Sequence, residues 1–373
     1  AINERSSKLI REGKKIYRFG FGQSPFHIPE KIVETLKKNA HKKEYLPIQG
    51  LPELREEISN YLFKRTKIKY PKENILITPG SKEAMLLMHV SFNGEIITPA
   101  PSWVSYEPQA EIGKNRVHWL ETSRVNNWFP TAKELESKLK KIGKKKNLIL
   151  ILNSPNNPSG AICKNFEELS KVAKKHKLII LSDEIYEHIN YGVAHFSFAQ
   201  IPSMYNRTLT VNGVAKAFAM TGWRIGYLGA PKWIAKACTK MQGQITSGAN
   251  CIAQRATIAA LDAPVAYIQY MVDEFATRRE RILKLLSNIE GFELNRPKGA
   301  FYVFPDISHY FGKTIKGKTI DNASDFALYL LEKAHVATVT GEAFGCPNNI
   351  RISYAASMKN IKEAVDRIQQ ALT

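Results

Sequence analysis

The feature that most constrains this chain is an alternation of short β-rich runs with helix-like stretches across nearly two hundred residues. The predicted strands are Ile75–Thr78, Glu95–Thr98, Val117–Leu120, Leu148–Leu152, Leu178–Ser182, Thr208–Val211 and Arg224–Leu228. Helical periodicity begins near Lys82 and recurs at Phe166–Lys174 and Pro231–Met241. Because helices that separate strands allow those strands to pair in parallel, the pattern predicts an α/β fold with a mostly parallel, doubly wound sheet.

A different pattern begins near Ala266. It contains, in order, a long charged helix, a strand, a helix, a second strand and a closing helix, predicted at Glu274–Asn288, Ala300–Phe304, Ser324–His335, Ile350–Ser353 and from Met358 onward. This order is typical of a smaller α+β unit. The sequence therefore predicts a large domain over residues 30–265 and a small domain formed by residues 1–29 and 266–373.

The charge and hydropathy of the chain bear on whether it binds nucleic acids or membranes. The 373 residues carry a net charge of +20, and many lysines cluster in segments such as Lys138–Lys141, Lys144–Lys146 and Lys174–Lys175. No nucleic-acid-binding module accompanies them, so we expect a solvated basic surface and no nucleic-acid partner. No apolar run reaches membrane-spanning length, and the beginning of the chain is polar, so we expect no membrane partner.

The four cysteines bear on metal binding and compartment. They form no Cys-x-x-Cys pair and have no histidine at zinc-finger spacing. We therefore expect no metal site and no disulfide framework. Reduced thiols fit the cytoplasm, which is the expected location.

Ligands of doubly wound sheets bind at the carboxyl ends of the strands, so the residues just past each strand are the candidates for a site. The turn Thr78–Ala84 places Gly80 and Ser81 at a helix start. We expect Ser81 to be the N-cap residue. Free N–H groups there suit a phosphate, although many turns of this kind bind nothing.

Three further segments follow strands. The turn Asn153–Gly160, with two prolines and two asparagines, is either an ordinary rigid loop or a device that aims an amide into a cleft. Asp183 ends an apolar strand as a helix cap or as a carboxylate held for a cationic partner, with Tyr186 three residues on. Lys216 lies among small apolar residues, where a lysine either covers apolar surface or has its pKa lowered by burial and becomes a nucleophile.

Taken together, these segments resemble the class I/II aminotransferases, the fold type I family that uses pyridoxal 5′-phosphate. The resemblance runs from about Phe21 to Tyr354 and is carried by Lys216–Gly226, Asn156–Gly160 and Ser182–Tyr186. Within the family, the chain is most similar to aspartate aminotransferases of subgroup I-beta. The resemblance implies a large domain with the doubly wound sheet and a smaller α+β domain.

The resemblance also implies roles for the residues at the cofactor. Lys216 would form a Schiff base with pyridoxal phosphate and move protons as general base and acid. Asp183 would face the pyridine nitrogen, while Tyr186 and Asn157 would hydrogen-bond the 3′-oxygen. Trp103 would stack on the ring. The phosphate would contact Gly80, Ser81, Lys82 and Arg224, together with Tyr45 from the partner of a homodimer with shared active sites.

On the substrate side, Arg351 resembles the arginine that grips the α-carboxylate, and Gly22 the glycine that closes over it. Lys82 lies where relatives carry a lysine that reads a side-chain carboxylate; some relatives with this lysine also accept prephenate. Trp103 and Asn157 are expected to contact the substrate as well. The resemblance thus implies transamination between aspartate or glutamate and 2-oxoglutarate by ping-pong half-reactions.

Two departures and several alternatives accompany this assignment. Gly213 replaces a serine that binds the phosphate in several relatives, and Gln23–Phe26 differs from the usual Gly-Glu-Pro-Asp-Phe context. An aminotransferase for neutral, aromatic or prephenate-type substrates, and a carbon–sulfur β-lyase, are the alternative enzymes. The same fold also serves transcription regulators, but the roughly twenty residues before Phe21 leave no room for the DNA-binding domain that such proteins carry.

Overall fold

The computed structural model describes residues 2–143, 147–264 and 266–373. The lysine cluster predicted at Lys144–Lys146 lies outside the described residues. The helices are α1 (Ile2–Arg11), α2 (Glu30–Asn39), α3 (Pro52–Thr66), α4 (Ser81–Ser91), α5 (Tyr106–Ile112), α6 (Ala132–Ile142), α7 (Phe166–Lys175), α8 (Lys232–Ile245), α9 (Cys251–Leu261), α10 (Ala266–Leu286), α11 (Ala323–Tyr329) and α12 (Met358–Leu372).

The strands are β1 (Tyr17–Arg18), β2 (Ile75–Thr78), β3 (Glu95–Ala100), β4 (Arg116–Glu121), β5 (Leu148–Asn153), β6 (Ile179–Asp183), β7 (Thr208–Gly213), β8 (Gly226–Gly229), β9 (Tyr302–Val303), β10 (Lys313–Ile315), β11 (Lys318–Ile320), β12 (Val336–Ala337), β13 (Val339–Thr340) and β14 (Ile350–Ser353). Most of the predicted elements are confirmed with end shifts of a few residues. Two starts differ. The charged helix predicted from Glu274 begins at Ala266, and Arg224, predicted to begin a strand, adopts left-handed geometry (φ +57°) in the turn before β8.

The central sheet contains seven strands in the order β2-β8-β7-β6-β5-β3-β4. Only β8 runs antiparallel to its neighbours. The strand register aligns Asn153 at the end of β5 with Asp183 at the end of β6. This mostly parallel arrangement confirms the predicted α/β fold and gathers the carboxyl ends of six strands at one edge.

The sheet is covered on both faces, which explains why its strands are apolar without alternation. In β5, Leu150 and Leu152 pack into one buried cluster with α6 and α7, whereas Ile149 and Ile151 pack into another with α4 and α8. Because successive side chains of a strand point to opposite faces, a strand buried on both sides needs an unbroken apolar run.

A three-stranded antiparallel sheet, β13-β14-β9, lies in the C-terminal part of the chain. The N-terminal segment reaches the same part of the molecule, because β1 pairs in parallel with β12. The helix predicted at Ser324–His335 divides into α11 and a π-helical turn, Leu330–Ala334. Among the described residues, no helix combines the length and apolar character that crossing a membrane requires.

Candidate active site

A cavity of about 210 Å³ lies at the carboxyl edge of the central sheet. Its lining combines residues from the loops after the strands, from α4 and from the C-terminal part of the chain: Gly22, Ser81, Met85, Trp103, Asn153, Asn157, Asp183, Ile185, Tyr186, Lys216, Tyr302 and Arg351. Eight of the predicted site residues are therefore brought together in a single cavity.

Asp183 is the buried acid of this cavity, with 3% of its surface exposed. Its carboxylate accepts a hydrogen bond from the Tyr106 hydroxyl at 2.7 Å and one from the Ile185 backbone N–H at 3.2 Å. Burial raises the pKa of the Asp183 carboxyl to about 6, although both hydrogen bonds and the charge of Lys216 act in the opposite direction. The carboxyl is thus held rigidly and is stabilised further by any cation that binds beside it.

Lys216 supplies the amine. Its Nζ donates a hydrogen bond to the Gly22 backbone carbonyl and lies 5.7 Å from the centre of the Tyr186 ring. Burial and, to a smaller extent, the nearby cation Arg351 lower the pKa of Lys216 to about 8, against the opposing effect of Asp183. A lysine in this state is a better nucleophile and proton acceptor at neutral pH than an exposed one.

Among the residues that the structure describes, Arg351 is held by two neutral acceptors and by no carboxylate. Its guanidinium donates to Asn157 Oδ1 at 2.8 Å and to the Gly20 carbonyl at 2.6 Å. Its Nε is buried without a hydrogen-bond partner. A buried cation normally has a counter-charge, so this geometry favours an external carboxylate as the missing partner.

The Asn157 side chain is fixed by its own loop. The Asn157 backbone N–H donates to Asn153 Oδ1 at 2.7 Å, and Asn156 Oδ1 accepts from both the backbone and the hydroxyl of Ser159. Of the two readings that the sequence left open for this turn, the geometry favours the one in which the loop aims an amide into the cleft.

A cationic cradle lies beside the cavity at the start of α4. The positive φ of Gly80 favours a glycine, and a Cβ added there would lie 2.2 Å from Arg224 Nη2, so a side chain at this position would displace the guanidinium. Arg224 donates to the backbone carbonyls of Thr221 and Pro79, and no carboxylate pairs with it in the described part of the chain. The expectation that Ser81 caps the helix is wrong: Gly80 (φ +84°) holds the N-cap position and Ser81 begins α4. With no side-chain cap, the helix start remains open to an anion such as phosphate.

The departure at Gly213 has a steric explanation. Gly213 pairs with Gly226 across β7 and β8, and a Cβ on Gly213 would lie 2.9 Å from the Gly226 Cα. A Cβ on Gly226 would in turn lie 2.1 Å from the Ser81 backbone nitrogen. Glycines at both positions let the two strands and the start of α4 pack closely, and a serine at 213 requires the backbone to move.

Three predicted residues lie toward the outside of the cavity. Trp103 lines the cavity, and the centre of its ring lies 5.1 Å from Lys82 Nζ. Lys82 itself is exposed and does not line the cavity. Tyr45 is 99% exposed and lies outside this cavity, so it does not contribute to the site of its own chain.

Sequence reasoning missed Tyr302, Tyr106, Asn153 and Met85. The Tyr302 hydroxyl lies 2.7 Å from that of Tyr186, and its ring lies 4.4 Å from the Arg351 guanidinium carbon. Tyr302 belongs to β9, which the sequence identified only as a strand. Tyr106 lies three residues beyond the predicted site residue Trp103, which is the one signal in the sequence that could have pointed to it.

A group of metal-ligand residue types lies outside the cavity lining: Glu184, Glu187 and His195 offer oxygen and nitrogen atoms within 4.8 Å of one another. Glu184 already accepts from His195 at 2.9 Å and from the Ser182 and Ser197 hydroxyls. Arg65 lies 3.4 Å from Glu187. These contacts form a buried ion-pair network, in which the Arg65 guanidinium already supplies positive charge to the carboxylates.

Comparison with known proteins gives a consistent result. A family model described as aminotransferase class I and II matches residues 14–368. A Petunia hybrida protein named bifunctional aspartate aminotransferase and glutamate/aspartate-prephenate aminotransferase is 41% identical, over 100% of this chain and 80% of the relative. An aspartate aminotransferase of Rhizobium meliloti (strain 1021) is 36% identical, over 99% of this chain and 92% of the relative.

Solved structures agree. The crystal structure of the Rhizobium meliloti aspartate aminotransferase superposes with a TM-score of 0.94 at 35% identity, covering 100% of this chain and 94% of that one. The Thermus thermophilus aspartate aminotransferase with maleate gives a TM-score of 0.92 at 33% identity, covering 100% and 95%.

Proposed function

This chain belongs to the class I and II aminotransferases, and from that premise we propose that it transfers an amino group between aspartate or glutamate and 2-oxoglutarate. It is a pyridoxal-phosphate-dependent enzyme of fold type I. The single observation that carries the proposal is the cavity in which Lys216, Asp183 and a carboxylate-free Arg351 converge.

The residues present fit pyridoxal phosphate. The open start of α4 with Gly80, Ser81 and Arg224 suits its phosphate, and the Asp183 carboxylate suits a protonated ring nitrogen. The Tyr186 hydroxyl and the Asn157 amide offer hydrogen bonds to the ring oxygen. When bound, the cofactor supplies a conjugated ring that withdraws electrons from the substrate Cα.

The chain's own groups then divide the work. Arg351 binds the α-carboxylate, and the bond that Asn157 accepts from it fixes the plane of the guanidinium. Lys216, with its lowered pKa, takes the proton from the substrate Cα and would return it at the coenzyme C4′. The Gly22 carbonyl, which accepts from Lys216, holds the amine at this edge of the sheet.

A dicarboxylic substrate is supported by Lys82 and by the names of the relatives. Lys82 stands at the rim beside Trp103, where its exposed ammonium is free to approach a second carboxylate. The relatives are named aspartate aminotransferases, and one Thermus structure holds the dicarboxylate maleate. Prephenate is a second candidate acceptor, because the Petunia relative's name and that of a Rickettsia typhi relative include it.

The test is a set of single-turnover half-reactions. The holoenzyme is mixed with aspartate, glutamate, alanine, phenylalanine or cystathionine, and the coenzyme absorbance is followed. Rapid loss of the coenzyme absorbance with aspartate and glutamate, and slow loss with the others, is the pattern expected for a site that recognises a second carboxylate. No change with any amino acid contradicts transamination, and release of pyruvate from cystathionine without an oxo acid favours the β-lyase alternative.

Assembly and location are part of the same proposal. We infer a homodimer with shared sites, because Tyr45 is fully exposed in one chain although the resemblance assigns it to a phosphate. Residues 30–265 form the large domain, and residues 1–29 with 266–373 form the small one, a division supported by the pairing of β1 with β12. A cytoplasmic location is supported by four cysteines that are all free thiols.

A further inference from the structure

We propose that Tyr302 is a positioning residue: its hydroxyl orients the proton of Tyr186 toward the cofactor, and its ring holds the Arg351 guanidinium in place. This inference rests on the proposed function, because it assigns a role within the same site. Tyr302 comes from β9 of the three-stranded sheet, whereas Tyr186 follows β6 of the central sheet. One side chain therefore links the cofactor end of the cavity to the carboxylate end.

The first step concerns the direction of a hydrogen bond. The two hydroxyl oxygens are 2.7 Å apart, and neither hydroxyl has another hydrogen-bond partner within the part of the chain that the structure describes. Each phenol has one proton, so only one of the pair donates along this contact. If Tyr302 donates, the Tyr186 proton is left free to point into the cavity.

The surroundings favour Tyr302 as the donor. Burial raises the pKa of both phenols, that of Tyr186 to well above its usual range. The Arg351 charge opposes this effect in both phenols, but its guanidinium lies over the Tyr302 ring, 4.4 Å from the ring centre, which makes the Tyr302 hydroxyl the more acidic of the two. The more acidic hydroxyl is the better donor, and donation to the Tyr186 oxygen polarises that hydroxyl, which then donates more strongly in its turn.

The second step concerns the ring. The Arg351 guanidinium carbon lies 4.4 Å from the centre of the Tyr302 ring and 5.1 Å from that of Phe344. These two rings restrict the guanidinium while Asn157 and Gly20 accept its protons. The Tyr302 hydroxyl also packs closely against Gly22, where an added Cβ would lie 2.3 Å from its oxygen.

These two roles can be separated by substitution. Tyr302→Phe keeps the ring and removes the hydroxyl, and Tyr302→Leu removes both. Tyr354→Phe is the matched control: Tyr354 is also fully buried, and its hydroxyl also contacts a second tyrosine, Tyr191, at 3.1 Å, but it does not line the cavity. Its loss removes the same chemical group from a comparable environment.

The readout is a spectroscopic pH titration of the substrate-free holoenzyme, in which the coenzyme absorbance reports the protonation of its link to Lys216. A tyrosine that donates to the ring oxygen stabilises the negative charge remaining after that link loses its proton. Weakening this donor should therefore raise the titration midpoint. We expect an increase of about half to one pH unit in Tyr302→Phe, since one hydrogen bond is removed, and no change in Tyr354→Phe.

A double-variant comparison tests the route through Tyr186. Tyr186→Phe should raise the midpoint more than Tyr302→Phe, and adding Tyr302→Phe to it should produce no further rise. Tyr302→Leu should in addition raise KM for aspartate, whereas Tyr302→Phe should lower kcat and leave that KM nearly unchanged. An unchanged midpoint in Tyr302→Phe, or an equal rise with and without Tyr186, would overturn the proposal.

The titration uses no substrate, so it stands apart from the test of the proposed function. A holoenzyme that titrates as expected but transaminates no amino acid leaves the role of Tyr302 intact and refutes the activity. A holoenzyme that transaminates aspartate while Tyr302→Phe titrates like the wild type refutes the role of Tyr302 alone.

Discussion

The inner and outer ends of the site are built in different ways. At the inner end, Asp183 is 3% exposed and is held by Tyr106 and a backbone N–H. At the outer rim, Lys82 and Arg224 are exposed, and Tyr45 is almost completely so. The inner groups are fixed by the folding of one chain, whereas the outer groups are exposed in that chain and, under the proposed function, gain charged partners when ligand binds or a second subunit docks. Substitutions should therefore act on chemistry and stability at the inner end, and on affinity at the rim.

The largest effect is expected at Asp183. Asp183→Asn keeps the shape and removes the charge, so kcat with aspartate should fall by about 100- to 1,000-fold. The same change should stabilise the coenzyme-free protein, because burial raises the pKa of this carboxyl from 3.8 to about 6. The folded state therefore binds this proton more tightly than the unfolded state, so the ionised carboxylate lowers the free energy of unfolding. This loss of stability grows from about pH 4 to pH 6 and is constant above pH 6.

Urea unfolding checks the second half of this prediction. At pH 8, Asp183→Asn should raise the free energy of unfolding of the coenzyme-free protein by up to about 3 kcal/mol, and near pH 4 by almost nothing. Asp262→Asn, at a largely exposed position, is the control and should change neither activity nor stability. If Asp183→Asn were as active as the wild type and no more stable, the proposed difference between the two ends of the site would be contradicted.

Arg351 lies between the two ends, and its effect should be intermediate. Arg351→Lys keeps the charge but loses the fork that contacts Asn157 and Gly20. KM for aspartate should rise by about 10- to 100-fold with a smaller change in kcat, as steady-state kinetics would show. Arg116→Lys on the exposed end of β4 is the matched control. A fall in kcat at unchanged KM would place Arg351 in the chemistry instead.

Lys82 should show a smaller and selective effect. Lys82→Met should raise KM for aspartate by about fivefold and leave KM for alanine unchanged, because only aspartate carries a second carboxylate and an exposed ion pair is weak. Comparing the two amino donors with the same variant measures this selectivity. Equal effects on both donors would show that Lys82 does not read the distal carboxylate.

The smallest effect is expected at Tyr45. Tyr45→Phe should weaken coenzyme binding by about threefold, the contribution of one hydroxyl, without changing the stability of the monomer. The difference should vanish when the protein is diluted until it is monomeric, which equilibrium dialysis at two protein concentrations can test. A difference that persists in the monomer would contradict a site shared between subunits.

The same contrast explains what the sequence could predict. Apolar strands and the residues that follow them predicted the sheet, Asp183 and Lys216, because burial on both faces leaves a strong local pattern. Tyr302 escaped notice, since its partners Tyr186 and Arg351 are more than forty residues away along the chain and only tertiary packing brings them together. The helix cap at Gly80 was also missed, because Ser81 has the side chain typical of an N-cap, whereas the positive φ of the actual cap residue (+84°) favours a glycine.

The central claim is that the Lys216 amine is where the coenzyme attaches. The most direct test is borohydride reduction of the holoenzyme, followed by proteolysis and mass spectrometry of the peptides. The account predicts one reduced phosphopyridoxyl group, on the peptide containing Lys216, and none in Lys216→Ala. An unmodified Lys216 peptide from protein that still holds the coenzyme, or a label on another lysine, would contradict it.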